Sequence, residues 1–174
     1  MRILYTLIVE FARYFLPLVA GFNQKIKRFQ NQRKTTFKDI SEWKRNQSSN
    51  PVMWLHCASL GEYEMIVPLI SDSEVQSKFE VVVSFFSASG YDHAKTDGIV
   101  RGKFYLPLDR IGAMKQLVSQ VNPSVFVLVK YDFWLNLMRA LNRNDCTNVV
   151  VNGQFRTGQF ITSAIGSPWR NQLK

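Results

Sequence analysis

Trp54-Leu55-His56-Cys57-Ala58-Ser59-Leu60-Gly61-Glu62-Tyr63-Glu64 is the stretch that decides the fold. An apolar strand from Val52 to Leu55 runs into small residues, then into a helix from Tyr63 to Ile70 with two carboxylates at its start. In an open α/β sheet such a junction, at the carboxyl end of a strand, is where ligands bind. The spacing Ser59-x-x-Glu62 also fits a capping box, in which a serine and a glutamate satisfy orphan N–H groups at a helix start. The helix dipole would keep a glutamate there ionised. Spacing by itself favours the cap. A glutamate rigidly aimed from a cleft-facing helix start can also act as a base, so both roles stay open. Glu64, two residues on, points elsewhere, into solvent.

Outward from this junction, strand-like runs rich in Val and Phe recur at Val52–His56, Phe79–Phe85, Gly102–Leu106, Ser124–Val129 and Asn148–Asn152. Helical segments lie between them at about 60–71, 88–97, 110–121 and 132–143, with Ser59, Ser87, Asp109 and Asp132 as candidate caps. This alternation predicts an α/β fold, a Rossmann-like parallel sheet with helices on both faces. The turn Ser87-Ala88-Ser89-Gly90 is small enough to admit a ligand to backbone N–H groups. No G-x-G-x-x-G or G-x-x-x-x-G-K-[ST] pattern is present, so a standard dinucleotide or P-loop site is not supported.

The 174 residues suffice for one domain with a real core and are too few for two full Rossmann-type domains. Cys57 and Cys146 are far apart, which makes reduced thiols in a cytosolic protein the default reading. His56, at the strand end, reads as a packing residue before a proton carrier, and His93 as surface. Two histidines without clustered carboxylates give no metal spacing. Ser59 has no identifiable His/Asp partners for a hydrolase triad.

Charge is uneven. Of the net +9, residues 1–50 carry ten Lys and Arg against three Asp and Glu, whereas residues 51–174 carry twelve against ten. Nucleic-acid binding would favour a basic face on the folded body. Here the basic residues Lys25, Lys27, Arg28, Arg33 and Lys34 instead follow an apolar segment, Ile3 to Phe22, as expected of a collar beside anionic lipid. Thr6, Glu10, Arg13 and Pro17 fall on one narrow face of that helix, where Glu10 and Arg13 are spaced to pair. A charge at mid-bilayer costs about 2.5–3.5 kcal/mol, so an interfacial helix fits better than a simple span. Residues 1–34 are therefore expected to form a membrane-associating helix and collar, 35–51 a linker, and 52–174 the α/β domain.

Taken in order, several motifs resemble those of the bacterial 3-deoxy-D-manno-octulosonic acid (Kdo) transferases. Trp54 to Glu62 is similar to their W-x-H-A-A-S-x-G-E signature, and Ser84 to Gly90 to their T-x-x-T-x-T-G turn. Tyr105-Leu-Pro-Leu-Asp109 resembles Y-L-P-x-D. Lys130 to Asn136 resembles E-x-E-L/F-W-P-N, and Asn152 to Arg156 an N-A-R element. The resemblance implies the N-terminal, acceptor-side half of a GT-B glycosyltransferase, inverting and metal-independent, at the cytoplasmic face of the bacterial inner membrane. It implies transfer of Kdo from CMP-Kdo to a lipid A precursor, with no cofactor and no nucleic-acid partner.

Glu62 then takes the family's general-base position, with Ser59, Gly61, Ser87, Ser89, Asp132 and Arg156 as substrate-binding candidates. Asp132 is one methylene shorter than the family's second acid, and Gln154 stands where the N-A-R arginine would be. The donor domain is expected beyond Lys174, which would leave this half inactive alone. Two other readings accompany the enzyme: a non-catalytic membrane-docked α/β module, and a GT-B enzyme with another donor.

Overall fold

The computed structural model describes residues 2–130, 132–153 and 166–167. Five parallel strands, β1 (Val52–Cys57), β2 (Glu80–Phe85), β3 (Gly102–Tyr105), β4 (Val125–Val129) and β5 (Thr147–Val151), form one sheet in the order β3-β2-β1-β4-β5. The chain is thus an α/β protein of Rossmann-like type. β1 lies at the centre, with Trp54 opposite Val82 on one side and Phe126 on the other. All six of its residues are buried, as a strand covered on both faces requires.

Strand alternation sorts two cores. Trp54, Val82, Phe104, Phe126 and Leu128 face α3 (Thr36–Arg45), α7 (Ile111–Val121) and α8 (Leu135–Leu141). Leu55, Cys57, Val83, Phe85 and Val127 face α4 (Leu60–Ile70), α5 (Ser73–Lys78) and α6 (Ala88–His93). In the first core the Trp54 indole meets the Phe126 ring edge-on at 4.9 Å, a geometry that adds to simple area burial.

The linker expected over 35–51 is a correction. Its first part is helix α3, whose Phe37, Ile40 and Trp43 sit three apart and so share one face against the sheet. Trp43 Nε1 donates to Glu80 Oε1 at 2.5 Å, and the backbone N–H of Ser48 donates to Glu80 Oε2 at 2.6 Å. The buried Glu80 carboxylate therefore clamps both α3 and the segment after it.

Helices α1 (Arg2–Ala20) and α2 (Gln24–Arg33) precede α3. α1 is seated on the domain by its polar face: Tyr5 Oη donates to Asp109 Oδ2 at 2.7 Å, Thr6 Oγ1 to Asn136 Oδ1 at 3.2 Å, and Arg110 Nε to Glu10 Oε2 at 2.8 Å. Glu10 therefore pairs with Arg110 and not with Arg13. The other face leaves Ile3, Leu7, Ile8, Phe11, Phe15 and Leu18 exposed. Ile3–Ala20 is long and apolar enough by length and composition to cross a membrane.

The collar is less free than its sequence implies. Arg28 pairs with Asp92 at 2.7 Å. Arg33 donates to the carbonyls of Leu106, Phe29 and Phe86, with its guanidinium 3.4 Å from the centre of the Phe29 ring. Burial lowers its pKa to about 10, which leaves it charged at neutral pH.

Asp109 was expected to cap α7, but the N-cap position there is Arg110. Its carboxylate instead accepts the backbone N–H groups of Asn136 and Leu137, at 2.9 and 2.8 Å, and so caps α8 from a distance. Asp109→Ala leaves those two donors and the Tyr5 hydroxyl without their acceptor, at about 1–3 kcal/mol each. It also removes a carboxylate whose burial is itself costly, since burial raises its pKa to about 6. The expected net loss is about 2 kcal/mol in chemical denaturation, with faster proteolysis of α1 as its seat goes.

Candidate functional site

The site lies at the carboxyl ends of β1, β2 and β4, where the chain turns into α4, α6 and α8. Two strand-end turns are stitched together there. Phe86 N donates to Cys57 O at 3.3 Å and Ser87 N to Ala58 O at 2.9 Å. Gly90 permits the closeness: a Cβ there would lie 2.4 Å from the Phe85 ring and 3.2 Å from the Ser59 carbonyl carbon. Ser87 caps α6 by accepting the Gly90 N–H, and its hydroxyl is 3.0 Å from that of Ser89. Gly61 faces open space. The structure thus gathers Ser59, Gly61, Ser87 and Ser89 at two adjoining turns.

The expected capping box does not form. Ser59 occupies the N-cap position with extended backbone but makes no side-chain capping bond. Glu62 Oε2 accepts the N–H of Ala58, one residue earlier than the box prescribes, at 2.6 Å. The carboxylate is therefore folded back over the strand end and half-buried, while Glu64 on the same helix is exposed.

Asp132 lies at the same end of the sheet, its Oδ2 3.9 Å from Nε2 of the buried His56. It does not cap α8: the N-cap position is Trp134, and Asp109 already takes the first N–H groups of that helix. Burial raises the Asp132 pKa, and the Glu62 charge raises it further.

Behind them lies a network that sequence reading missed. His56 is fully buried, with Nδ1 2.9 Å from Ser84 Oγ, and its Nε2 accepts the Trp134 indole N–H at 3.2 Å. That contact places the ring proton on Nδ1, toward Ser84. Ser84 Oγ also accepts the Trp54 indole N–H at 2.8 Å. Burial, aided by the Arg33 charge, lowers the His56 pKa to about 3, so the ring is neutral. His56 is a floor residue that fixes Trp134, and Trp134 stacks at a tilt on Phe86 with centroids 4.9 Å apart. The only sequence signal was a set of polar-tipped residues inside otherwise apolar strands.

Among the described residues no group of three or more His, Cys, Asp and Glu could hold a metal ion. Arg156 and Gln154 lie outside the described residues. His93 is exposed on α6.

Residues 24–173 match the family model described as 3-deoxy-D-manno-octulosonic-acid transferase (kdotransferase). The chain belongs to the Kdo transferase family. It is 32% identical over 109 residues to a 3-deoxy-D-manno-octulosonic acid transferase of Chlamydophila psittaci, covering 61% of this chain and 25% of that protein. To the Aquifex aeolicus protein of the same description it is 26% identical over 91 residues, 49% of this chain and 24% of the relative. A bifunctional glycosyltransferase/methyltransferase of Fusobacterium nucleatum is 27% identical over 134 residues, 75% of this chain and 20% of its own length. The matched region is thus about a quarter or less of each relative. Glu62 and Asp132 follow the carboxyl ends of their strands, whereas the Glu80 clamp lies at the opposite end of the sheet, at the start of β2.

Proposed function

We propose that this chain is the acceptor-side half of a Kdo transferase, which moves Kdo from CMP-Kdo to a lipid A precursor in lipopolysaccharide synthesis with inversion at the anomeric carbon. The observation that carries the reading is Glu62, held at the open end of β1 by the Ala58 N–H. An acceptor hydroxyl oxygen attacks the anomeric carbon, the bond from that carbon to the CMP phosphate oxygen breaks, and CMP leaves with the electron pair. Glu62 takes the hydroxyl proton, as a positioned carboxylate can. Ser59, Gly61, Ser87 and Ser89 offer hydroxyl and backbone groups to the sugars, Asp132 orients the acceptor, and Arg156 meets an anionic group.

The exposed apolar face of α1 supports work at a membrane surface, here the cytoplasmic face of a bacterial inner membrane. A second Rossmann-like domain supplies most of the donor site. The test uses the longer protein in membranes, with CMP-Kdo, other nucleotide sugars and a lipid A precursor. Transfer of Kdo alone is the expected result. Transfer from a different donor, or binding of the lipid without any transfer, would replace the reading with another glycosyltransferase or a non-catalytic module.

A further inference from the structure

Behind the mouth, α1, α2 and α3 meet the segment that leads from β3 to α7 around a cleft of about 230 Å³. Its charged lining comprises Arg13, Arg33 and Arg110, and no carboxylate lines it. Phe29, Phe37 and Leu108 supply apolar walls. The three guanidinium groups are not equally neutralised. Arg110 is paired with Glu10 at 2.8 Å. All three hydrogen bonds of Arg33 go to backbone carbonyls, which hold the group without cancelling its charge. Arg13 has no carboxylate partner among the described residues and lies over the Tyr14 ring, 4.9 Å from its centroid. About two positive charges therefore look into a partly apolar cleft without counter-charge, an arrangement that favours an anion.

The position of Arg13 selects the kind of anion. It stands on α1, whose far side carries the exposed apolar side chains of Leu7, Phe11, Phe15 and Leu18. A helix lying on a bilayer by that apolar side holds Arg13 and the cleft near the level of the lipid headgroups. A free anion has no use for that surface or for Phe29, Phe37 and Leu108.

We infer that this cleft binds the phosphate headgroup of an anionic membrane phospholipid, with Arg13 and Arg33 on the phosphate and the glycerol region against the aromatic walls. The site is separate from the sugar-transfer mouth and does not depend on the transferase reading. It gives α1 a fixed seat on the bilayer surface, where diffuse attraction by the collar would leave the domain free to rotate.

Native mass spectrometry of the 174-residue chain in non-ionic detergent tests this, with phosphatidylglycerol, phosphatidylcholine and inorganic phosphate added separately. One retained phosphatidylglycerol is expected. Its affinity should fall about tenfold or more in Arg13→Ala and in Gln30→Trp, which adds bulk at the cleft without changing charge, and should hold in Lys27→Ala. Ala113→Leu fills the cleft from another wall and replaces Gln30→Trp if that variant fails to fold. Equal losses in Arg13→Ala and Lys27→Ala with none in the filled variants would reduce the binding to diffuse collar attraction. Equal retention of phosphatidylcholine, or equally tight binding of inorganic phosphate, would likewise overturn the assignment.

Discussion

In the longer protein Glu62→Gln is expected to lower kcat about 10²–10⁴-fold, the usual range for a positioned general base, with little change in stability. The contrast follows from the one bond the side chain makes. Glu62 accepts the Ala58 N–H through Oε2, and a glutamine carbonyl oxygen can accept the same donor. The substitution removes the charge at the start of α4, where the helix dipole is worth about 0.3–1 kcal/mol. The capping box offers no further loss, because the Ser59 hydroxyl makes no capping bond.

Turnover with CMP-Kdo and the melting temperature, measured on the same preparation, separate the two roles of this residue. Near-normal turnover would end the assignment of Glu62 as base. A large fall in melting temperature with turnover retained would make it a structural cap. KM for the acceptor should change less than kcat, since the lost interaction forms in the transition state.

The strands were legible because nothing else competes for those residues: β1 to β5 fall within a residue or two of the Val- and Phe-rich runs. α3 was not. Phe37, Ile40 and Trp43 carry a helical period, but they sit in a polar stretch that ends Asn46-Gln-Ser-Ser-Asn50, and composition hid the period. The misread caps share another cause. Asp109 stands two residues before α7 in the chain, so a local rule hands it to that helix, yet its carboxylate serves α8 from 27 residues away. Once Asp109 fills that role, Asp132 is released from capping and lies beside His56, where the Glu62 charge helps to raise its pKa. Pairings of this kind are set by which loops meet at one end of a sheet, and no window of sequence contains them. The polar face of α1 shows the same limit: its residues were placed correctly on one stripe, while the partner of Glu10 lies 100 residues away at Arg110.

Between about pH 6 and pH 4 two buried groups, His56 and Asp109, change the stability of the 174-residue chain in opposite directions. The folded pKa of His56 is about 3, below its unfolded value of 6.5. Its contribution is therefore complete above pH 6.5 and is lost as pH falls toward 3, because the unfolded chain binds a proton that the folded one refuses. Each pH unit in that window costs about 1.4 kcal/mol. Asp109 is raised from 3.8 to about 6. The folded chain then binds the extra proton, so stability is gained as pH falls from 6 toward 4, at a similar slope. Asp132, also raised, adds in the same direction as Asp109. In His56→Gln the opposing term is gone, although the amide oxygen can still accept the Trp134 N–H. That variant should gain about 3 kcal/mol relative to the unmodified chain between pH 6 and pH 4. Urea unfolding followed by tryptophan fluorescence in non-ionic detergent measures the difference, from which groups remote from His56 cancel. Asp132, whose Oδ2 is 3.9 Å from His56 Nε2, is held constant by repeating the comparison in Asp132→Asn. A difference that stays constant across those two pH units would mean that His56 takes up a proton in the folded state. The neutral ring bridging Ser84 and Trp134 would then have to be redrawn as a charged one.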